Sequence, residues 1–290
     1  IRIIVPYPAG GATDVSARLV GQRLQEELKQ TVIVDNRPGA SGNLGMAALL
    51  QSPADGHTLA MSLTGMLSIN PTTYSKAGFT ASDVAPIARV MLAPLVLVVP
   101  LNSPWRSIQD LIAAGKTAGK DGLPYGSTGA GGISHVASEL VNAAADGNYT
   151  HVPYKGGESH RDLIAGRLDF MIDGAAINQV IGGRLKALAV AYPKRWPTQE
   201  KIPTMAESGY PEVTIATYFG LSAPAGTPTP ILEKLNFHMR EIAKDADFQK
   251  RMLAMNVQAL PMTRQETDGF IKLQTDKWKP ILKSLNISFD

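Results

Sequence analysis

The chain has 290 residues, 44% hydrophobic and 18% charged, with a formal net charge of +3 and no cysteine. That length holds one large or two medium domains around a sizeable core, and the composition is that of an ordinary globular chain rather than a disordered or fibrous one. The missing cysteines exclude disulfides, zinc-thiolate sites and cysteine nucleophiles, and no apolar stretch approaches the ~20 residues that span a bilayer.

The predicted elements alternate strand and helix. Ile1 to Pro6 reads as a strand, and a chain that begins on strand residues without an initiator Met points to a leader removed ahead of it. A glycine loop follows, then a helix with Val15, Leu19, Leu24 and Leu28 at helical spacing. Thr31 to Asp35 is a second strand, running into the turn-rich Asn36-Arg37-Pro38-Gly39-Ala40-Ser41-Gly42-Asn43 and an Ala/Leu helix to about Leu50. Asp55-Gly56 is a turn signal before the strand His57 to Leu63. Leu95 to Val99 is the strongest strand pattern; Pro100 and Pro104 then mark a break and a helix start at Trp105. Leu123 to Gly126, Thr150 to Pro153, Leu168 to Ile172, Leu185 to Ala191 and Phe219 to Ala223 are further strands. Amphipathic helices close the chain, among them Ile231 to Ala243 and Gln265 to Leu285. Such alternation predicts an α/β fold with largely parallel sheets.

One pattern occurs twice. Ala9-Gly10-Gly11-Ala12-Thr13-Asp14-Val15 is echoed by Ala130-Gly131-Gly132-Ile133-Ser134-His135-Val136, an offset of 121 residues. Each copy follows a strand and precedes helical periodicity, so each exposes unpaired N–H groups at the positive end of a helix dipole, which suits an anion. Two glycine turns can resemble each other by chance; the pairing reads instead as two half-sites facing one another. Neither Tyr7 to Asp14 nor Gly126 to His135 contains Arg or Lys. An anion there is therefore held by N–H groups, hydroxyls and dipoles. Similar strand–proline breaks at Pro100 and Pro224 place residues 1–100 and 220–290 in one domain and 101–219 in a second, inserted one. Each loop then lies at the carboxyl ends of its own sheet, where open α/β sheets bind ligands.

Several runs carry a family resemblance: Ile4-Val5-Pro6-Tyr7-Pro8-Ala9-Gly10-Gly11-Ala12-Thr13-Asp14, Val34 to Asn43, Ile69-Asn70-Pro71, His151 to Gly156, Ala187 to Ala191 and Phe219 to Pro228. In order and across essentially the whole chain, they resemble the tripartite tricarboxylate transporter substrate-binding proteins, the Bug or TctC-like family. The resemblance implies an α/β, type II periplasmic-binding-protein fold: two Rossmann-like domains around a ligand cleft. It implies a periplasmic, monomeric receptor without catalytic residues, metal or cofactor. It binds a small carboxylate (di- or tricarboxylate, acidic amino acid or aromatic acid) and delivers it to membrane permease subunits, one large and one small. The carboxylate is held between the two glycine loops by backbone amides, hydroxyls and bridging water.

Carried onto this chain, the contacts are Tyr7, as an aromatic lid, with Ala9, Gly10 and Gly11 in the first loop. In the second they are Ser127, Thr128, Gly129 and Gly131, beside Gly132. Thr13 and Ser134 read as ligand contacts or as N-caps, and His135 as lining the pocket or capping its helix. Asp14 would repel a carboxylate at close range, and bonding its own loop is its better role. Asp173 receives a ligand hydroxyl or amine, or starts a turn; Asn43, Thr64, Tyr154 and Tyr218 form the far wall by analogy. Lys155, following Tyr154 in a loop able to approach the cleft, is the cation to test against.

Other functions have weaker support. Tyr125-Gly126-Ser127-Thr128-Gly129 is one residue from a nucleophile elbow, and Asp173 and His238 lie downstream, so a hydrolase using Ser127 is the alternative. Gly129-Ala130-Gly131-Gly132-Ile133-Ser134 lacks the last glycine of the dinucleotide fingerprint. The five histidines show no metal spacing. No basic cluster exceeds Lys194-Arg195, so nucleic acid is not an expected partner. A transcription regulator's effector domain shares this fold type, but the chain carries no helix-turn-helix.

Overall fold

A computed structural model describes residues 1–74, 77–154 and 158–284. The chain forms two compact units, one built from Ile1–Leu92 and the chain from Tyr218 onward, the other from Ala93–Thr217. The first contains strands β1 (Arg2–Val5), β2 (Ile33–Asn36), β3 (Thr58–Leu63) and β4 (Val84–Pro94). The second contains β5 (Val96–Pro100), β6 (Leu123–Ser127), β7 (Tyr149–Pro153), β8 (Phe170–Asp173) and β9 (Leu185–Val190). Strands β10 (Ala216–Pro224) and β11 (Gln258–Ala259) complete the first sheet, whose order is β11-β4-β10-β3-β1-β2. The second runs β7-β6-β8-β5-β9.

The two sheets repeat one plan. In the first, β1 lies parallel between β2 and β3, and β10 joins β3 antiparallel. In the second, β6 lies parallel between β7 and β8, and β5 joins β8 antiparallel. All six residues of β3 are buried, as expected of a strand covered on both faces. The helix Ala12–Leu28 buries Leu19, Val20 and Leu24, each removal of such a side chain from water being worth about 1.5–3 kcal/mol. The second unit closes around Val96, Val98, Leu163, Met171 and Trp196.

The division corrects the expected boundaries. Val96–Pro100, assigned from sequence to the first domain, pairs with β8 and β9 in the second sheet. The strand preceding it, Val84–Pro94, was not foreseen, because Pro86 and Arg89 interrupt its apolar pattern. Proline is tolerated where ladder bonds are not needed. The short β11 pairs only with Met91 and Leu92, leaving Pro86 outside the stretch it covers.

Within the first unit, the loop 7–11, the turn 37–43 and the helical turn from Thr64 all leave the carboxyl ends of parallel strands. Within the second, Thr128–Gly132, Tyr154 and Gly174 do the same.

Candidate functional site

The first glycine loop is held by its own helix. Gly10 has φ +86°, a conformation that favours glycine, and donates its N–H to Asp14 Oδ2 at 2.9 Å. The buried Asp14 also receives Arg18 Nε at 3.1 Å and Asn36 Nδ2 at 2.9 Å, with Arg18 Nη2 2.9 Å from its other oxygen. Asn36 Nδ2 in addition donates to the Tyr7 carbonyl at 3.1 Å. Burial alone would raise the Asp14 pKa, but Arg18, the Gly10 N–H and Asn36 outweigh it and hold the carboxyl below its ordinary range. Ala9, Gly10, Gly11 and Ala12 are exposed.

The second loop repeats that geometry at the same offset. Gly131, at φ +73°, donates its N–H to His135 Nδ1 at 3.2 Å. The two helices start alike, with N-caps Gly11 (φ −77°, ψ 167°) and Gly132 (φ −72°, ψ 168°), and neither has a side-chain cap. Thr13 and Ser134 are therefore not the caps; both sit inside the first helical turn and are buried. Gly11 and Gly132 lie where any L-residue is comfortable. A Cβ on Gly11 would meet only the Pro8 carbonyl at 3.7 Å, and one on Gly132 the Gly129 carbonyl at 3.3 Å. Backbone conformation thus explains Gly10 and Gly131 but not Gly11 and Gly132. The Ser134 hydroxyl is fully buried at this helix start with no hydrogen-bond partner among the described residues.

Residues 16–287 match the tripartite tricarboxylate transporter family receptor, TctC. The chain belongs to this family. Protein BugT of Bordetella pertussis is 33% identical over 98% of this chain and 88% of its own length. The chain also resembles Rpa4515 of R. palustris, solved with adipate, at 30% identity and TM-score 0.92, covering 99% of this chain and 97% of that one. The periplasmic binding protein BugD superposes with TM-score 0.88 at 29% identity, over 99% and 98% of the two chains. The fold is accordingly the two-unit α/β fold of the type II periplasmic binding proteins.

Set against that family, the remaining expected contacts are unevenly placed. Ser127 is fully buried, and its Oγ lies 2.7 Å from His151 Nε2 and accepts the Gly129 N–H at 3.4 Å. Thr128 and Gly129 are half-buried. His151 stacks on His135 at 3.7 Å between centroids and 11° between planes, and both rings stack on Tyr125. Burial lowers His135 to about 4; burial, then the His135 charge, brings His151 to about 4 against a small opposing pull from Glu139. Asp173 accepts from His160 Nε2 at 3.0 Å and from the Ala175 N–H at 2.9 Å, so it both starts its turn and anchors a histidine. Burial works against the charge on His160, but the Asp173 hydrogen bond and charge together raise its pKa.

In the first unit, Tyr7 is half-buried, and burial, with Tyr74 nearby, pushes its phenol up to about 12. Asn43 is buried and accepts from Asn70 Nδ2 at 2.7 Å. The turn before it holds four successive positive φ angles, at Gly39, Ala40, Ser41 and Gly42. Ala40 and Ser41 carry a Cβ into that region, a strained arrangement of the kind that collects at ligand sites. It is tied down by Asn70 Nδ2 to the Ser41 carbonyl and by the Ser41–Tyr74 hydroxyl pair at 2.8 Å. Thr64 Oγ1 accepts the Tyr218 N–H at 3.0 Å. Tyr218 is fully buried against Phe270, its hydroxyl without a partner among the described residues. Tyr154 donates to Asp162 at 2.7 Å. Lys155 lies outside the described residues.

The hydrolase constellation expected from sequence does not assemble. Asp173 belongs to His160, and His238 lies 3.4 Å from Glu27. The histidine that does reach Ser127 is His151, from the next strand, and sequence reasoning missed it together with Arg18, Asn36 and Asn70. For Arg18 a signal existed, the i,i+4 spacing from Asp14. Strand pairing alone brings His151 to Ser127, since β6 and β7 lie side by side.

Proposed function

We propose that the protein is a periplasmic receptor for a small carboxylate, acting as a monomer without catalytic chemistry and delivering its ligand to a permease of one large and one small membrane subunit. The carrying observation is the pair of cap glycines, Gly11 and Gly132, left bare at two uncapped helix starts where φ and ψ do not require glycine. A bare backbone at each lets an anion reach the first N–H groups of that helix. Each dipole contributes about 0.3–2 kcal/mol and each hydrogen bond to a charged group about 1.5–3 kcal/mol. Four to six such bonds reach the ~8 kcal/mol of a micromolar receptor after ordering costs, with no salt bridge. The adipate bound by the relative Rpa4515 and the periplasmic description of BugD support the reading.

A thermal-shift panel of mono-, di- and tricarboxylates, acidic amino acids and aromatic acids tests it. A ligand at 100 times its Kd adds ~2.7 kcal/mol of stability, a rise of a few degrees for a chain of this size. No shift across the panel would sink the proposal. The Ser127–His151 hydrogen bond favours hydrolysis as the second reading, since it gives the hydroxyl a base. Ester turnover that vanishes in Ser127→Ala would establish that reading; the receptor reading expects none.

A further inference from the structure

The two loops place one acceptor at the same point and neutralise it in opposite ways. Asp14 and His135 each follow by four residues the positive-φ glycine whose N–H they accept. Four residues further along the helix stand Arg18 in the first case and Glu139 in the second. We propose that Asp14 and His135 are positioning residues of the two glycine loops, not ligand contacts, and that the second loop keeps its anion-binding shape only while the His135 imidazole is neutral.

The geometry dictates the tautomer. A donor at Gly131 requires an unprotonated Nδ1, so the proton of neutral His135 sits on Nε2, which faces Glu139 Oε1 at 3.8 Å. Adding a second proton turns Nδ1 into a donor aimed at the Gly131 donor, and the loop loses its strut. The position thus needs an acceptor that leaves no uncompensated negative charge beside the anion. A carboxylate meets that need in the first loop because Arg18 neutralises it. In the second loop a neutral ring meets it.

Among the groups facing His135 are Tyr125 from β6, His151 from β7 and Glu139 from its own helix. Tyr125 donates to Glu139, and burial, then Glu139, raise its phenol, which stays neutral. Asp173 on β8, which packs against this helix, is turned to His160. On the adjoining helix Ile108–Lys116, Asp110 caps its own N-terminus, and Glu212 in the neighbouring turn Pro211–Val213 is exposed. Burial opposes a charge on His135.

The loop shape is tested without ligand, and the anion dependence rests on the carboxylate reading. Long-range proton–nitrogen NMR at pH 7 should show His135 as the Nε2–H tautomer, with the Gly131 amide shifting as His135 titrates in acid. His135→Asn, which keeps an acceptor as Asp14 does, should hold the Gly131 amide near its wild-type position and abolish the acid step. His135→Phe should displace it. With adipate as the calorimetric probe, wild type should lose at least twofold more affinity than His135→Asn between pH 7 and pH 4, a ratio in which protonation of adipate and of Asp14 cancels. His135→Asp, with Glu139 rather than an arginine beside it, should bind at least tenfold more weakly than wild type at pH 7. An Nδ1–H tautomer, or equal Gly131 shifts in the Asn and Phe variants, overturns the positioning role. Equal pH profiles for wild type and His135→Asn overturn the neutrality requirement. Failure of adipate to bind wild type would count against the carboxylate reading, while the tautomer and amide shifts still decide the strut.

Discussion

The loops at 9–14 and 130–135 share a backbone and almost nothing else. The first is exposed and braced by a buried carboxylate held by a cation and an amide. The second is half-buried and braced by a neutral ring stacked on a second imidazole. Common to both are a left-handed glycine, a bare glycine cap and an acceptor four residues beyond the first glycine. What two helix starts need in order to present their N–H groups is therefore a loop geometry and a charge balance, and residue identity is free wherever those are met.

The sharpest way to break the comparison is to fill the bare caps. Gly11→Asp and Gly132→Asp should each weaken carboxylate binding at least tenfold, roughly 1.4 kcal/mol, with the fold retained, because both φ values suit an L-residue. Calorimetry and circular dichroism check both halves of that statement, and loss at one loop only would show that the two loops do not contribute alike. Next in size, Gly10→Ala and Gly131→Ala place a Cβ at φ +86° and +73°. Each should cost about 1–2 kcal/mol of stability, read as a drop of a few degrees in Tm. An unchanged Tm in either would mean that its loop relaxes freely.

Acid should separate the two loops. His135 and His151 have folded pKa values near 4, below the ordinary 6.5. The unfolded chain therefore binds more protons between those values, and stability falls as pH drops from about 6.5 to about 4. The Asp14 carboxyl is held low, so its contribution is present above the ordinary carboxylate pKa and is lost as pH falls through its lowered folded value. Urea unfolding from pH 7 to pH 4 should show the loss above pH 5 shrinking in a His135→Asn, His151→Asn double variant and persisting in Asp14→Asn. The reverse assignment would mean that the histidine pair is charged in the folded protein. The smallest effect expected is that of salt. If N–H groups rather than side-chain cations hold the anion, affinity should change by less than about twofold between 50 and 500 mM salt. A steep slope would show that a cation anchors the ligand.

Much of this was legible because it is local. Strand and helix periodicity, the glycine echo and the hydroxyl-bearing positions beside it are properties of short stretches. The roles of individual side chains were less so. Thr13 and Ser134 have the chemistry of N-caps, yet the helices start two residues too early in the chain for them to serve, because the left-handed Gly10 and Gly131 let Gly11 and Gly132 take that place. Asp173 carried the same letters whether it served a ligand or His160; only the packing of the helix Glu158–Ile164 decided.

The sequence by itself determined the alternating α/β plan, the family and the two loops that open helices toward an anion, since each follows from spacing along a few residues. Tertiary structure decided that Val96–Pro100 joins the second sheet and that Val84–Pro94 is a strand at all. It also decided that Ser127 meets His151, across two strands that pair side by side. These depend on which distant segments become neighbours, and that is settled by burial and ladder pairing over the whole chain, where local pattern carries no record.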